Sequence, residues 1–290
     1  MWCILGAGGQ LGKCLEDLLR RRGIPHRALH RSECDITNAD ALATALAGFP
    51  VSVLVNAAAW TAVDAAEDHE EQARLVNENG AHNIAQWCLL HSATLVHIST
   101  DYVFDGLSNR PIPEDSECIP TTAYGRTKLA GEKAVINSGL ESFYIVRTAW
   151  LYSEHGKNFV KTMVGRATSN SPVNVVCDQL GQPTNAHDLA LHILNLVDAG
   201  LPFGIYHGTN SGQASWFELA SEIYRLVGVG AELVTPVSSE SYPTRARRPS
   251  YSVLGHNKTG HFGLTTMRPW KIALAESIEA IAEQVGREAV

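Results

Sequence analysis

The sequence predicts an α/β protein, a doubly wound parallel sheet followed by a smaller, mixed α/β C-terminal lobe. Three observations predict it. Short apolar runs alternate with longer amphipathic ones through the first half of the chain. A glycine loop separates the first apolar run from the first amphipathic stretch. Beyond about residue 150 proline recurs (172, 183, 202, 236, 243, 249 and 269) and the alternation loosens. Strands that alternate with helices pair in parallel, with crossovers on both faces, and ligands then bind at the carboxyl ends of the strands.

Taken in order, Trp2-Cys-Ile-Leu5 reads as a buried strand, and residues 10–22 place Leu11, Leu15, Leu18 and Leu19 at helical spacing. Ala28 and Leu29 suit a second strand, 40–47 a helix, 51–55 a third strand and 70–91 one long helix. Thr94 to Ile98 reads as the fourth strand, 122–137 as a helix and 143–146 as the fifth strand. Helical periodicity returns at 186–198, 215–227 and 270–284, among few and short strands. No internal repeat or low-complexity tract interrupts this pattern.

Bulk properties remove several classes of function. The chain has 290 residues, 45 % of them hydrophobic and 18 % charged, with a formal net charge of −7. A surface of that sign repels phosphate backbones, so no nucleic-acid partner is expected. No apolar run approaches the roughly 18–20 residues that span a bilayer, and residues 1–5 run straight into the glycine loop with no room for a secretory signal. The six cysteines form no C-x-x-C pair and read as reduced thiols, which places the protein in the cytoplasm. The twelve histidines show no H-E-x-x-H spacing, and no metal site is expected.

Gly6-Ala-Gly8-Gly9-Gln10-Leu11-Gly12 follows the first strand and opens the first helix. Glycines three apart permit a tight turn and close approach of the backbone to a pyrophosphate, while the helix N-terminus offers free N–H groups and partial positive charge. A dinucleotide is the expected ligand. Its adenosine ribose falls at the end of the second strand, where a carboxylate marks NAD and an arginine accommodates the 2′-phosphate of NADP. Here the strand ends in His30-Arg31-Ser32, which favours NADPH; Glu33 is close enough to keep NADH open, and Arg31 as a solvated charge is the plainer alternative. Cys34-Asp35-Ile36 follows to cover the adenine, unless Asp35 simply caps a turn. Asn56-Ala57-Ala58-Ala59 ends the third strand with small side chains suited to a cofactor's approach. Residues 1–150 thus read as the NADP-binding domain, and 151–290 as mainly a substrate lobe with some segments returning to the sheet.

Tyr124-Gly-Arg-Thr-Lys128 sets a phenol and an ammonium on one helix face. A free phenol ionises near pH 10, and a neighbouring cation is expected to lower that value toward the range useful in proton transfer. Tyr-x-x-x-Lys is common by chance. Its weight comes from Ser99 and Thr100 at the end of the fourth strand, whose hydroxyls can hold a substrate carbonyl, and from the phosphate loop upstream.

With these residues together, the chain resembles the extended short-chain dehydrogenase/reductases, a Rossmann-like family, and within them the dTDP-4-dehydrorhamnose reductases. The shared motifs are Gly6 to Gly12, Asn56-Ala-Ala-Ala-Trp-Thr-Ala-Val-Asp64, Ser99-Thr-Asp-Tyr-Val-Phe-Asp-Gly106 and Tyr124-Gly-Arg-Thr-Lys-Leu-Ala-Gly-Glu132. Arg147-Thr-Ala-Trp-Leu-Tyr152, Gly156-Lys-Asn-Phe159, Asp178-Gln-Leu-Gly-Gln-Pro-Thr184 and Arg248-Pro249 extend the match over nearly the whole chain. The resemblance implies that Tyr124 gives a proton to the sugar C4 oxygen as hydride arrives, that Lys128 binds the nicotinamide ribose and that Thr100 orients the carbonyl. It implies a dTDP-sugar substrate, dTDP-6-deoxy-L-lyxo-4-hexulose, reduced to dTDP-L-rhamnose. Thr61, Val63, Tyr102, Trp150, Asn158, Thr184 and Arg248 fall on motifs around that substrate. Arg245-Ala-Arg247-Arg248 reads either as a solvated loop or as capture of the substrate pyrophosphate.

The sequence also departs from the pattern. Family members often carry an acidic residue where His30 stands, so NADPH preference is not inherited. Some bind Mg2+ through glutamates at a dimer contact, one of them just after the glycine loop. Here Lys13-Cys14 occupies that stretch, so neither the ion nor that dimer carries over, and both a monomer and a homodimer stay open. A related dehydratase would need an Asp-Glu pair after Thr100, whereas Asp101 is followed by Tyr102. An epimerase, a ketoreductase for another 6-deoxysugar and a regulatory subunit without catalysis remain as alternatives; the last would be favoured by loss of Tyr124 or Lys128, and both are present.

Overall fold

The computed structural model describes residues 1–288. Six parallel strands form the central sheet: β1 (Trp2–Leu5), β2 (His26–Leu29), β3 (Val53–Asn56), β4 (Thr94–Thr100), β5 (Phe143–Thr148) and β6 (Gly204–His207). Their spatial order is β6-β5-β4-β3-β1-β2, so the direction of winding reverses between β1 and β3. A crevice opens there at the carboxyl ends, as it does in doubly wound sheets generally. The glycine loop leaves β1 and the alanine run leaves β3, so both motifs arrive on the two sides of that crevice.

β1 and β3 read as apolar runs because both of their faces are covered. Alternate residues divide between two cores. Ile4, Val53, Val55, Val96 and Val146 pack with Leu11, Leu15 and Leu19 of α1 (Gln10–Arg21). Cys3, Leu5, Leu54, Leu95 and Ile145 face the opposite side, with Leu42 and Leu46 of α2 (Ala39–Leu46) and with Ile84, Ala85 and Cys88 of α3 (Gly80–His91). The expected helix over 70–91 is interrupted. Glu70–Arg74 is α-helical, Leu75–Asn79 widens into a π-helical turn, and α3 follows. The widening lets the Asn77 side chain clamp the loop after β3: Oδ1 accepts from Trp60 N at 2.9 Å, and Nδ2 donates to Trp60 O and to Thr127 Oγ1.

α4 (Ala123–Ile136) carries the Tyr/Lys pair. Thr122 caps it, its hydroxyl accepting from Gly125 N at 3.1 Å, and Glu67 accepts from Ala123 N at 2.9 Å. Further on come α5 (Phe159–Thr168), α6 (Ala186–Asp198), α7 (Trp216–Val227) and α8 (Trp270–Glu288). α6 returns to pack on α1, and β6 pairs with β5 from Gly204–Tyr144 to His207–Arg147. α5, α7 and α8 build a separate apolar core through Met163, Val164, Leu219, Ile223, Leu274 and Ile281. Short parallel strands, Leu151–Tyr152 and Thr184–Asn185, join that core to the end of β5. Among the described residues no helix is long and apolar enough to cross a membrane.

One ion pair ties α4 to the sheet. Arg147 on β5 donates to both carboxylate oxygens of Glu132 on α4, at 2.9 and 2.7 Å, and the two residues are 2 % and 1 % exposed. Ser99 on β4 donates to the same carboxylate, and Arg147 also reaches Glu114 O. Removing one member of such a pair leaves a charge buried without its partner. Arg147→Met is therefore expected to lower unfolding free energy by about 3–5 kcal/mol in urea titrations, and the double change Arg147→Met/Glu132→Leu to lose less than the single one. A single variant within about 0.5 kcal/mol of the parent would show that the pair does not hold α4 in place.

Candidate active site

Two adjoining hollows open at the carboxyl end of the sheet and share Gly9 and Ala57 to Ala59 as a common wall. The smaller, about 320 Å³, lies over β2 and is lined by Gly6, Gly8, Arg31, Asp35 and Ile36. The larger, about 620 Å³, runs past Gln10, Leu11, Ser99, Thr100, Tyr124 and Lys128 to the C-terminal lobe.

The glycine loop is shaped by contacts that no side chain allows. A Cβ at Gly12 would lie 2.4 Å from Gly6 O, and one at Gly6, whose φ is +81°, would lie 2.6 Å from Ala58 N. The loop therefore rests directly against the alanine run. Asn56 holds that run: its Oδ1 accepts from Ala58 N, and its amide meets His97 Nδ1 at 3.1 Å. Burial keeps His97 well below its usual pKa, so the imidazole is neutral and can accept from that amide. At the start of α1 there is neither a side-chain cap nor an acidic residue in the first turn. Its free N–H groups and dipole suit an anion.

The residues after β2 are arranged for one charge. Arg31 lines the smaller hollow. Glu33 instead accepts from His30 N at 2.8 Å, and Asp35 accepts from Thr37 N and Oγ1, bonds that hold its carboxyl below the usual range. Asp35 thus caps a turn while lining the wall. His30 stands off the wall, its ring behind Gly8.

Tyr124 and Lys128 face the larger hollow from α4, both buried. Lys128 Nζ donates to Ile98 O at 2.6 Å, and burial lowers its pKa to about 8, with Glu132 opposing. The expected lowering of the Tyr124 pKa is not met in the free protein. Burial pushes the phenol up, Asp101 adds to this and the neighbouring Thr100 hydroxyl opposes it, while the ammonium is turned to the backbone. Thr100 Oγ1 donates to Asp101 Oδ1 at 2.9 Å and accepts from Tyr102 N at 3.2 Å. Its one proton is thereby committed to Asp101, whose own pKa burial raises to about 6.

The far wall belongs to the C-terminal lobe. Trp150 has φ of +46°, an unusual conformation for a bulky residue, and its ring stacks on Trp216 with centroids 3.5 Å apart and planes 10° from parallel. Asn158 caps α5 through Lys161 N at 2.9 Å, and its amide donates to Gln10 Oε1 and to Ser153 O, each at 2.8 Å. It ties the phosphate-side helix to the lobe.

Of the sequence-derived residues, Thr61, Val63, Thr100, Tyr102, Trp150 and Asn158 line the larger hollow with Tyr124 and Lys128. Thr184 does not; it is fully buried, its hydroxyl donating to Gln182 O. Arg248 stands outside that wall as well, paired with Asp64, while Arg245 pairs with Asp68. Asp101, Lys157, Trp216 and Leu219 line the hollow without having been singled out. Asp101 had a signal, its place beside Thr100. Trp216 had none, because its pairing with Trp150 is made only by the fold.

The RmlD substrate binding domain family profile matches residues 2–283. The chain belongs to the RmlD substrate binding domain family. Among members, it is similar to a dTDP-4-dehydrorhamnose reductase of Streptomyces griseus, 44 % identical over 290 residues that cover 99 % of this chain and 95 % of that one. It is as similar to a dTDP-4-keto-6-deoxy-D-glucose reductase of Streptomyces niveus, 44 % identical over 276 residues covering 95 % and 96 % of the two chains. In three dimensions it resembles a dTDP-4-dehydrorhamnose reductase of Bacillus anthracis solved in complex with NADP, with a TM-score of 0.92, 36 % identity and coverage of 96 % and 98 %. The doubly wound parallel sheet expected from the sequence is thus the fold of this RmlD-family chain.

Asn158 offers a direct test of how the lobe is fixed. Asn158→Ala is expected to cost about 1–3 kcal/mol in unfolding free energy, since a cap and two amide bonds are lost together. Asn158→Ser, which keeps a capping oxygen but cannot reach Gln10, is expected to fall between. Equal stability of the serine variant and the parent would show that the Gln10 bridge contributes nothing.

Proposed function

We propose that this chain is an NADPH-dependent 4-ketoreductase of a dTDP-linked 6-deoxyhexulose, with dTDP-6-deoxy-L-lyxo-4-hexulose, giving dTDP-L-rhamnose, as its substrate. The observation that carries the reading is the position of a buried, neutral phenol, Tyr124, beside a buried ammonium, Lys128, on the wall of a hollow continuous with the glycine loop. Residues 1–150 bring the cofactor side of this site, and 151–290 mainly the substrate side.

The residues present fit a dinucleotide. The uncapped first turn of α1 suits its pyrophosphate, and Gly8, Gly9, Ala57 and Ala58 give its backbone-facing wall no side chain larger than a methyl. Arg31 is the group for a 2′-phosphate, with both nearby carboxylates engaged elsewhere. When bound, NADPH supplies the reducing equivalent. The rest is the work of this chain's side chains. Burial holds Tyr124 protonated, the state from which a reduction begins, and its hydroxyl gives that proton to the C4 oxygen. Thr100, beside the phenol, orients the carbonyl by turning to the C4 oxygen the proton that Asp101 accepts in the free protein. Lys128 would donate to the ribose hydroxyl oxygens and, as a cation, steadies the phenolate left behind. Trp150 and Trp216 give the sugar ring a flat apolar surface.

A second substrate reading has its own support. The Streptomyces niveus relative, a dTDP-4-keto-6-deoxy-D-glucose reductase, is as close in identity as the Streptomyces griseus one, so sugar configuration is not selected by family similarity. Following NADPH absorbance with dTDP-4-keto-6-deoxyhexoses of different C3 and C5 configuration, then assigning product stereochemistry, separates the two. The L-lyxo sugar is expected to react fastest; faster turnover of the D-xylo isomer would favour the second reading.

Tyr124→Phe is expected to cut kcat by about two to four orders of magnitude with NADPH binding nearly intact, because only proton delivery is lost. A variant near the parental rate would remove Tyr124 from the chemistry. Arg31→Ala is expected to weaken NADPH more than NADH in fluorescence titrations; equal effects would show that Arg31 does not read the 2′-phosphate.

A further inference from the structure

Outside the hollow, the fold collects a thiol, a carboxylate and an imidazole. Cys14 stands on the second turn of α1, Glu154 in the loop after Tyr152, and His187 in the first turn of α6. One donor atom from each lies within 4.8 Å of the other two. His187 Nε2 is 2.9 and 3.1 Å from the two oxygens of Glu154, and His155 Nε2 approaches the same carboxylate at 3.4 Å. Cys14 is fully buried, whereas Glu154 and His187 are partly open, so the cluster is reached from solvent through the carboxylate and the ring.

The donors decide which ion fits. Mg2+, the ion that some members of the resembled family bind, takes oxygen ligands in near-octahedral geometry and sheds water reluctantly. A cysteine sulfur and an imidazole nitrogen do not suit it. Sulfur, nitrogen and one carboxylate oxygen are instead the donor set of Zn2+, which binds them at about 2.0–2.3 Å in a tetrahedron. Donor atoms around such an ion stand roughly 3.3–3.8 Å apart, and here each lies within 4.8 Å of the other two.

We propose that Cys14, Glu154 and His187 form a binding site for a zinc-class divalent ion, with His155 or water in the fourth position. Binding exchanges the thiol proton of Cys14 for the metal and releases it to solvent, so affinity rises with pH. The three ligands come from the phosphate-side helix, from the loop that leads to Asn158, and from the helix that packs on α1. The ion is a staple between the two sides of the cleft, not a part of the chemistry, and the proposal does not depend on which sugar is reduced.

The test is a titration of the chelator-treated full chain with Co2+, a spectroscopic substitute for Zn2+. A near-ultraviolet thiolate-to-metal band with intense four-coordinate visible bands is expected, displaced by Zn2+ and not by the same concentration of Mg2+. Cys14→Ser is expected to abolish the ultraviolet band although five other cysteines remain. His187→Gln is expected to weaken Co2+ binding by more than about tenfold, or ~1.4 kcal/mol. NADPH binding by both variants is expected to stay at the parental level. Absence of the band, its survival in Cys14→Ser or displacement by Mg2+ would overturn the proposal. Should Cys14→Ser fail to fold, unchanged affinity in His187→Gln overturns it alone.

Discussion

Charge buried on one face of α4 is the constraint from which the rest follows. Lys128 and Glu132 stand one turn apart and are 2 % and 1 % exposed. Isolated charges at such depth cost several kcal/mol each, so the surrounding chain has to answer both. It does so with Ile98 O for the ammonium and with Arg147 and Ser99 for the carboxylate. β4 and β5 are thereby pinned to α4, and Tyr124, one turn before Lys128, is held against the end of β4. The same burial that lowers the Lys128 pKa raises that of Tyr124, so the pair starts as a neutral acid beside a cation that is easily discharged.

The cleft is built across the two parts of the chain by polar bonds that are few and specific. Asn158 meets Gln10 across it, Asn77 fixes the loop after β3, and Asn56 fixes the alanine run through a neutral histidine. Each of these amides satisfies backbone groups that would otherwise be buried unpaired, which is the reason the loops around the cleft hold one shape. Trp150, in a left-handed conformation, is kept there by its stack on Trp216 and by Thr184 N donating to its carbonyl.

The centre of the sheet was legible in the sequence because its strands are covered on both sides. Trp2 to Leu5 and Val53 to Val55 are unbroken apolar runs for that reason, and the glycines at 6, 9 and 12 sit where β1 meets α1. The pairing of Tyr124 with Lys128 was legible for a similar local reason, since helix geometry alone brings them together. β6 escaped notice because Gly204-Ile-Tyr-His207 has little periodicity and joins the sheet through β5, far back in the chain. α5, with Gly165 and two threonines in ten residues, has a weak helical signal and is stabilised by packing on α7 and α8. The Arg245 to Arg248 cluster stayed open between a solvated loop and pyrophosphate capture because nothing local reveals Asp64 as the partner of Arg248. The lowered phenol pKa is not met in the free protein, because spacing shows a cation nearby but not the depth at which both groups lie.

The claim that a deeply buried Lys128 serves the chemistry as a cation is tested most directly by the pH dependence of kcat/KM for NADPH, which reports the free protein. Below about 8 the ammonium is present, and above it the charge is lost, so the value is expected to fall as pH rises through about 8. Lys128→Arg, charged throughout, is expected to lack that fall whatever its absolute rate. A parental profile that stays flat to about pH 10, where an ordinary lysine titrates, would contradict the account.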